Sequence, residues 1–145
     1  MFLGKFTHSL DKEFRLAIPA RFREAAGEQF AGGLCLTCGA EPCIVVYSLQ
    51  RLERLLANLE SDSSISKSAA RDFKRALGSN AAIVVPDRLG RILIPDFLRE
   101  HAGIDRDVAI VGAVDSIEIW DTATYNEREP SRRASFERLA PRVLG

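Results

Sequence analysis

Two stretches of the chain alternate apolar and charged residues in nearly the same order. Residues 9–27 read SLDKEFRLAIPARFREAAG and residues 85–103 read VPDRLGRILIPDFLREHAG, at a constant offset of 76 residues. In each stretch a charged turn separates two short apolar segments, and Ile-Pro then leads into a run of helix-forming residues. A repeat of this kind predicts two copies of one strand–turn–strand–helix unit.

The short helix of each copy is predicted from apolar residues four positions apart. In the first copy Phe22 and Ala26 share one helical face, while Pro19 suits the first helical position and Gly27 a left-handed C-cap. The second copy repeats these features in the same order, with Pro95, Leu98, Ala102 and Gly103. Backbone geometry explains the shared prolines and glycines, so we assign them to structure.

An apolar hairpin and a capped helix are predicted after each unit. The hairpins LCLTCGAEPCIVVYS and VAIVGAVDSIEIWD end in Ser48 and Asp121, which are typical helix N-cap residues. The helix after Ser48 should carry an apolar stripe made of Leu49, Leu52, Leu56 and Leu59. Beyond the polar linker 61–66, a helix over residues 68–78 should end at Gly78 with its apolar side chains inward, namely Ala70, Phe73 and Leu77.

These elements predict an α+β fold in which the two halves form one unit. Each half has only about 70 residues, a size at which a separate hydrophobic core is marginal. We expect the halves to interleave their hairpins in a small closed β-barrel, because closure removes exposed strand edges. The expected organisation is a first repeat with its helix (1–60), a linker and helix (61–81), a second repeat (82–128) and a basic C-terminal tail (129–145) that is frayed at its end.

Bulk composition excludes several classes of protein. Twenty basic and twenty acidic side chains give a net charge of zero, so bulk charge does not indicate a nucleic-acid-binding protein, and any such function needs a local cluster. No apolar run approaches the roughly 20 residues of a membrane span, and residues 1–10 lack the apolar core of a signal peptide. We therefore expect a cytoplasmic protein with no membrane partner.

Catalytic and metal-binding motifs are also lacking in the sequence. Cys35 and Cys38 form a CxxC, but no second ligand pair follows and residues three apart on a strand point to opposite faces, so buried cysteines are the favoured interpretation. The two histidines, His8 and His101, stand apart from any hydrolase, phosphate-loop or dinucleotide motif. We expect neither an enzyme, nor a cofactor, nor a small-molecule substrate.

The paired motif D-x-x-x-R-hydrophobic-x-I-P-x-x-(F/L)-R-E-x-A-G, with the opening MFLGKF and the late IEIWD, resembles the MraZ family. The resemblance extends from residue 1 to about residue 125. It implies two tandem AbrB-like swapped-hairpin halves that form one pseudo-two-fold barrel with flanking helices. It also implies self-association into a ring and sequence-specific binding of double-stranded DNA at repeated promoter boxes, usually to repress the division and cell-wall gene cluster from a nucleoid-associated location.

The residues that would carry DNA binding lie in and around the two charged turns. Arginine suits this task because its planar fork can hold a phosphate or both acceptors of a guanine edge. The candidates are Lys12, Arg15, Arg88 and Arg91 in the turns, Arg21, Arg23 and Arg99 on the short helices, and Lys5 on the first strand. Without the resemblance, the favoured interpretation is solvated turn charges in which the aspartates fix the turns and pair with the arginines. The resemblance favours DNA contact for Arg15 and Arg91 above the others.

One position departs from the pattern. The second turn ends in Gly90-Arg91, with a glycine that can supply a positive φ, whereas the first turn has Phe14 before Arg15. We expect Asp11 and Asp87 to fix the two turns, and Phe14 either to be strained or to force a different turn in the first copy.

Three further hypotheses remain open from the sequence. The leucine-rich helix and the Phe73 helix either form the ring interface or simply cap the barrel. The basic C-terminal tail is a candidate for mobile DNA contact through Arg132, Arg133, Arg138 and Arg142. The alternative to a DNA-binding regulator is an AbrB-like protein-interaction module of the antitoxin type.

Overall fold

A computed structural model describes all 145 residues, from Met1 to Gly145, and its second half repeats the first. The elements, in chain order, are β1 (Lys5–Ser9), β2 (Arg15–Ala17), α1 (Ala20–Ala26), a 3₁₀ turn (Gly27–Gln29), β3 (Leu34–Cys38), β4 (Ile44–Ser48), α2 (Leu49–Ser61), α3 (Lys67–Ser79), β5 (Ala81–Val84), β6 (Arg91–Leu93), α4 (Asp96–Ala102), β7 (Asp107–Gly112), β8 (Ile117–Asp121), α5 (Thr122–Glu127) and α6 (Glu129–Val143). The predicted repeat of strand, turn, strand, short helix, hairpin and helix is confirmed.

The strands form a six-stranded antiparallel sheet and a separate two-stranded ribbon. The strand order of the large sheet is β1-β7-β8-β4-β3-β5, and the ribbon pairs β2 with β6. The first strand of each half thus pairs with the hairpin of the other half, and the order reads the same from either end when the halves are exchanged. The chain therefore has a pseudo-two-fold arrangement of its strands.

The predicted closed barrel is not found. β1 and β5 are the two edges of the large sheet, and β2 and β6 pair only with each other. The physical reason is strand length, since β2 and β6 have three residues each and form a short three-residue ladder that does not connect the two edges. The prediction of a mixed α and β chain with flanking helices is correct.

The larger of the two buried apolar clusters is shared by both halves. A single cluster of 17 buried residues includes Leu16 and Phe22 from the first half and Ile92 and Leu98 from the second. Fully burying one such side chain stabilises the fold by about 1.5–3 kcal/mol. Because the ribbon buries Leu16 and Ile92 against this core, its backbone is anchored and its opposite face is left to solvent.

The predicted helix starts are largely correct. The Ser48 hydroxyl accepts a hydrogen bond from the Arg51 amide at 3.1 Å, and an Asp121 carboxylate oxygen accepts one from the Thr124 amide at 3.0 Å. Pro19 and Pro95, predicted as the first helical residues, are N-cap residues, and the helices begin one residue later at Ala20 and Asp96. Gly103 is a left-handed C-cap as predicted, whereas Gly27 has a positive φ of 63° with a ψ of −140°, outside the left-handed helical region.

Three predictions about the later helices are wrong. Gly78 lies inside α3, which continues to Ser79. Phe73 is 53% exposed because α3 packs only loosely beside α2, so this side chain lines an open apolar groove between the two helices. The end of the chain is helical rather than frayed, since α6 continues to Val143 with Pro141 inside it. None of the helices combines the length and the apolar character that a membrane span requires.

The cysteines of the predicted CxxC are free thiols on β3. Cys35 is buried and Cys38 is half-buried, and the third cysteine, Cys43, is buried between β3 and β4. Burial raises the pKa of all three thiols, that of Cys43 to about 12. Such thiols are protonated at neutral pH and are poor nucleophiles.

Candidate nucleic-acid interface

The β2–β6 ribbon brings the two charged turns onto one surface. Its register pairs Leu16 with Ile92 and Ala17 with Arg91, and it places Arg15 opposite Leu93. Neighbouring residues on a strand point to opposite faces. Because Leu16 and Ile92 are fully buried, Arg15 and Arg91 lie on the same solvent-facing side of the ribbon.

Each turn is built around an aspartate that binds two backbone amides. In the first turn, Asp11 Oδ1 accepts from the amides of Glu13 and Arg15, both at 2.9 Å, and Oδ2 accepts from Arg15 Nε at 3.3 Å. The backbone hydrogen bond from Arg15 is the main cause of a lowered pKa at Asp11. The arginine is thus fixed at its base by the turn.

The second turn repeats this geometry. Asp87 Oδ1 accepts from the amides of Leu89 and Arg91, both at 2.9 Å, and Oδ2 accepts from Arg91 Nε at 2.8 Å. The pKa of Asp87 is lowered, mainly by the backbone hydrogen bond from Arg91. Each arginine is about a third exposed, so both remain accessible to a ligand.

Contacts between the halves hold the two turns together. The Ile18 amide donates to the Gly90 carbonyl and the Ile94 amide donates to the Phe14 carbonyl, both at 3.0 Å. Arg91 Nη1 also lies 3.6 Å from Asp11 Oδ2. The turns therefore form one connected surface, which preorganises their charged groups.

Phe14 is strained and does not change the turn. Its φ is 62°, close to the 77° of the equivalent Gly90, and the Arg99 guanidinium lies 3.6 Å from the centre of its ring. Of the two outcomes predicted for Phe14, strain is correct and a different turn is wrong. The cation–π contact explains the difference, because such contacts contribute about 0.5–2 kcal/mol against a left-handed strain of about 1–2 kcal/mol.

The remaining predicted residues divide into three groups. Lys12 and Arg88 are exposed at the turns, next to the arginine pair. Arg23 and Arg99 are half-buried and each packs against the turn of the other half, Arg23 beside Gly90 and Arg99 on Phe14. Lys5 and Arg21 lie apart from the turns: Lys5 is at the far end of β1 over the Tyr125 ring, and Arg21 is over the Phe6 ring.

Two residues at this surface were missed from the sequence. Glu13 Oε2 lies 2.6 Å from Arg15 Nη2, and Leu89 is 62% exposed. Positions 13 and 89 are equivalent at the repeat offset of 76, so aligning the turns residue by residue would have pointed to both. The charged side chains of residues 11–15 sum to zero and those of residues 87–91 to plus one, which makes the second turn the more basic.

Fold and surface together define a tandem-repeat α+β protein whose halves jointly present an arginine-bearing β-ribbon. A family model described as "MraZ protein, putative antitoxin-like" matches the chain twice, over residues 1–76 and 77–145. The chain therefore belongs to the MraZ family.

Relatives named "Transcriptional regulator MraZ" resemble the chain over nearly its whole length. That of Micrococcus luteus is 42% identical over 144 residues, which cover 99% of this chain and 97% of the relative. That of Thermobifida fusca is 37% identical with the same coverage. That of Caldanaerobacter subterraneus is 39% identical over 140 residues, with 97% of this chain and 94% of the relative covered. The similarity thus includes both turns and all helices.

Proposed function

We propose that the protein is a sequence-specific DNA-binding transcriptional regulator, and that it represses the division and cell-wall gene cluster. The observation that carries this proposal is the pair of arginines on the outer face of the ribbon, each fixed by an aspartate at its base. A two-stranded β-ribbon fits the major groove of B-DNA, and arginine is the most frequent partner of guanine there. The relatives' name, "Transcriptional regulator MraZ", supports a role in transcriptional regulation.

The roles of the surface residues follow from their exposure. Arg15 and Arg91 read base edges, because they are held in fixed directions on the ribbon. Lys12 and Arg88 contact phosphates beside them, as flexible exposed side chains do. Arg23 and Arg99 act indirectly by supporting the opposite turn, and Lys5 and Arg21 make at most peripheral backbone contacts. Asp11, Asp87 and Gly90 maintain the turns.

We further propose that the chain is AbrB-like and that it assembles into a closed ring of identical subunits. The exchange of β1 and β5 between the halves supports the swapped-hairpin description. The groove between α2 and α3, with a volume of about 770 Å³ and a mostly apolar lining, supplies a surface for self-association. A ring presents several ribbons at fixed spacing, and linked contacts raise overall affinity by about 10²–10⁴ without any new contact.

In this proposal residues 1–60 and 82–128 are the two DNA-facing repeats, residues 61–81 join them, and residues 129–145 add a basic helix. The protein acts in the cytoplasm at the nucleoid. Its partners are double-stranded DNA with repeated boxes and other copies of itself, with no small-molecule substrate and no catalytic activity.

The test measures binding to the promoter region ahead of the organism's own division gene cluster. We expect the wild-type protein to bind a probe with several boxes, and both Arg15→Ala and Arg91→Ala to weaken binding. The loss for Arg91→Ala should be about tenfold or more, in line with about 1–3 kcal/mol for a bidentate base contact. Arg75→Ala is the matched control, because this exposed arginine on α3 pairs only with Asp72 and is not assigned to DNA contact. A probe cut to a single box should bind far more weakly, and undiminished affinity for it would exclude the avidity mechanism.

An antitoxin-type interaction module is the second candidate. Two observations favour it, namely the description of the matching family and the apolar groove between α2 and α3. If the wild-type protein fails to bind the promoter probe, and another protein co-purifies with it at fixed stoichiometry, this second function replaces the first.

A further inference from the structure

The two turns differ most at one equivalent position, residue 13 in the first and residue 89 in the second. The amides of Glu13 and Leu89 both donate to the turn aspartate at 2.9 Å, so the two side chains leave the backbone at matching places. Both side chains are exposed, Glu13 by 70% and Leu89 by 62%. The same place on the surface is therefore acidic in one turn and apolar in the other.

Glu13 forms an ion pair with the arginine of its own turn, Arg15. Its carboxylate lies 2.6 Å from Arg15 Nη2, while Asp11 already engages Arg15 Nε. A phosphate or guanine that approaches Arg15 must displace Glu13 and also meets its negative charge. In the second turn Leu89 takes the position equivalent to Glu13, so that carboxylate is replaced by an apolar side chain. Arg91 pairs with Asp87 at 2.8 Å and lies 3.6 Å from Asp11.

Leu89 is 62% exposed and belongs to neither of the buried apolar clusters. It lies two residues before Arg91 in the turn, on the surface that our proposed function assigns to DNA. In the major groove, guanine offers two acceptors to an arginine, and thymine offers a C5-methyl group to an apolar side chain. An exposed leucine beside a fixed arginine matches a thymine that neighbours a guanine.

We propose that Leu89 is a specificity-determining residue that contacts a thymine methyl group next to the base read by Arg91, whereas Glu13 restricts the first turn to weaker and less selective contact. This inference rests on the proposed function. It makes the second turn the principal reader of sequence in a chain whose two turns have the same backbone geometry.

The experiment uses the full-length protein and two duplexes of the promoter boxes, one natural and one with every thymine replaced by uracil. Uracil keeps the base pairing and removes only the methyl group. The wild-type protein should bind the uracil duplex about threefold to fivefold more weakly, the effect of one buried methyl-sized group. Leu89→Ala should bind both duplexes equally, at the lower affinity. Leu139→Ala, which changes an exposed leucine of α6, should keep the wild-type preference.

The outcomes distinguish a failure of this inference from a failure of the proposed DNA-binding function. Equal binding of both duplexes by the wild-type protein, or an unchanged preference in Leu89→Ala, would overturn the role of Leu89 while leaving DNA binding intact. Failure of the wild-type protein to bind either duplex would overturn both proposals.

The role of Glu13 is tested by Glu13→Gln, which removes the charge and keeps the shape. We expect about threefold to fivefold tighter binding, the size of one exposed ion-pair effect, and a steeper dependence of affinity on salt as Arg15 gains a phosphate or base contact. Glu13→Leu should go further and increase the preference for thymine over uracil. Unchanged affinity and salt dependence in both variants would show that Glu13 does not restrain Arg15.

Discussion

The turns at Asp11–Arg15 and Asp87–Arg91 reach the same backbone geometry from different residues. The amides of Phe14 and Gly90 donate to the carbonyls of their turn aspartates at 3.0 and 2.9 Å. Both residues have positive φ, although only glycine adopts it without strain. The two turns show that the surrounding contacts between the halves impose this conformation. A glycine lowers its strain but is not required for it.

In each turn, an arginine from the other half packs against the residue that has a positive φ. Arg99 stacks on the Phe14 ring, whereas Arg23 packs directly over Gly90, where an added Cβ would lie 2.7 Å from Arg23 Cδ. The arginine side chain thus fills the space left by the missing side chain in the second turn and covers the ring in the first. The pairs Arg99–Phe14 and Arg23–Gly90 thus pack the two turns in different ways. Substitutions at residues 14 and 90 can measure how much each pair contributes to stability.

The largest stability effect is expected for Phe14→Ala. This change keeps the left-handed strain and removes the stacking surface for Arg99, so the free energy of unfolding should fall by about 1–2 kcal/mol. Urea denaturation followed by circular dichroism measures it. Phe14→Gly is the matched control, because it also removes the strain and should remain within about 1 kcal/mol of the wild type. An equal loss in both variants would mean that strain at residue 14 is negligible.

A smaller effect is expected for Gly90→Ala. The new Cβ requires Arg23 to shift, which a flexible side chain can do, and the remaining cost is the left-handed strain of about 1 kcal/mol. The same denaturation assay applies. Gly78→Ala, in the interior of α3 with nothing near its added Cβ, should instead be neutral or stabilising. A neutral Gly90→Ala would mean that the second turn tolerates Cβ as readily as the first.

The smallest effect is a pH dependence shared by both turns. Asp11 and Asp87 have folded-state pKa values below their ordinary value of 3.8, so their contribution to stability is fully present above that value and is lost as the pH falls through the lower folded values. Thermal denaturation between about pH 6 and pH 3 should show a shallower loss of stability in the Asp11→Asn/Asp87→Asn double variant than in the wild type. Parallel curves would contradict the lowered pKa values.

The sequence was most informative where structure is local. The repeat, the hairpins and the helix starts at Ser48 and Asp121 follow from spacing and capping chemistry within a few residues. The strand order of the large sheet could not be predicted in this way, because β1 pairs with β7 across about 100 residues. The closed barrel was wrong because β2 and β6 have three residues each and pair only with each other, which the local pattern of the sequence does not show.

The candidate surface was predicted in part. The equivalence of Arg15 and Arg91 was visible in the repeat, but their common face depends on the pairing of β2 with β6. The pairing of Arg23 and Arg99 with the opposite turns likewise requires the contact between halves, so they were grouped with the exposed basic residues. Phe73 was predicted to lie inward because helical spacing identifies an apolar face and does not say whether another element covers it.

The exchange of first strands also constrains how the chain folds during synthesis. Ser9 on β1 is hydrogen-bonded to Asp107 on β7, 98 residues later, so β1 leaves the ribosome long before its partner strand exists. The first hairpin and its helices can form early, whereas β1 and the first turn have to wait for β7 and β6. Pairings so distant in sequence slow folding. The DNA-facing ribbon is therefore expected to be among the last parts of the molecule to form, and a nascent chain stalled in its second half would have no complete recognition surface.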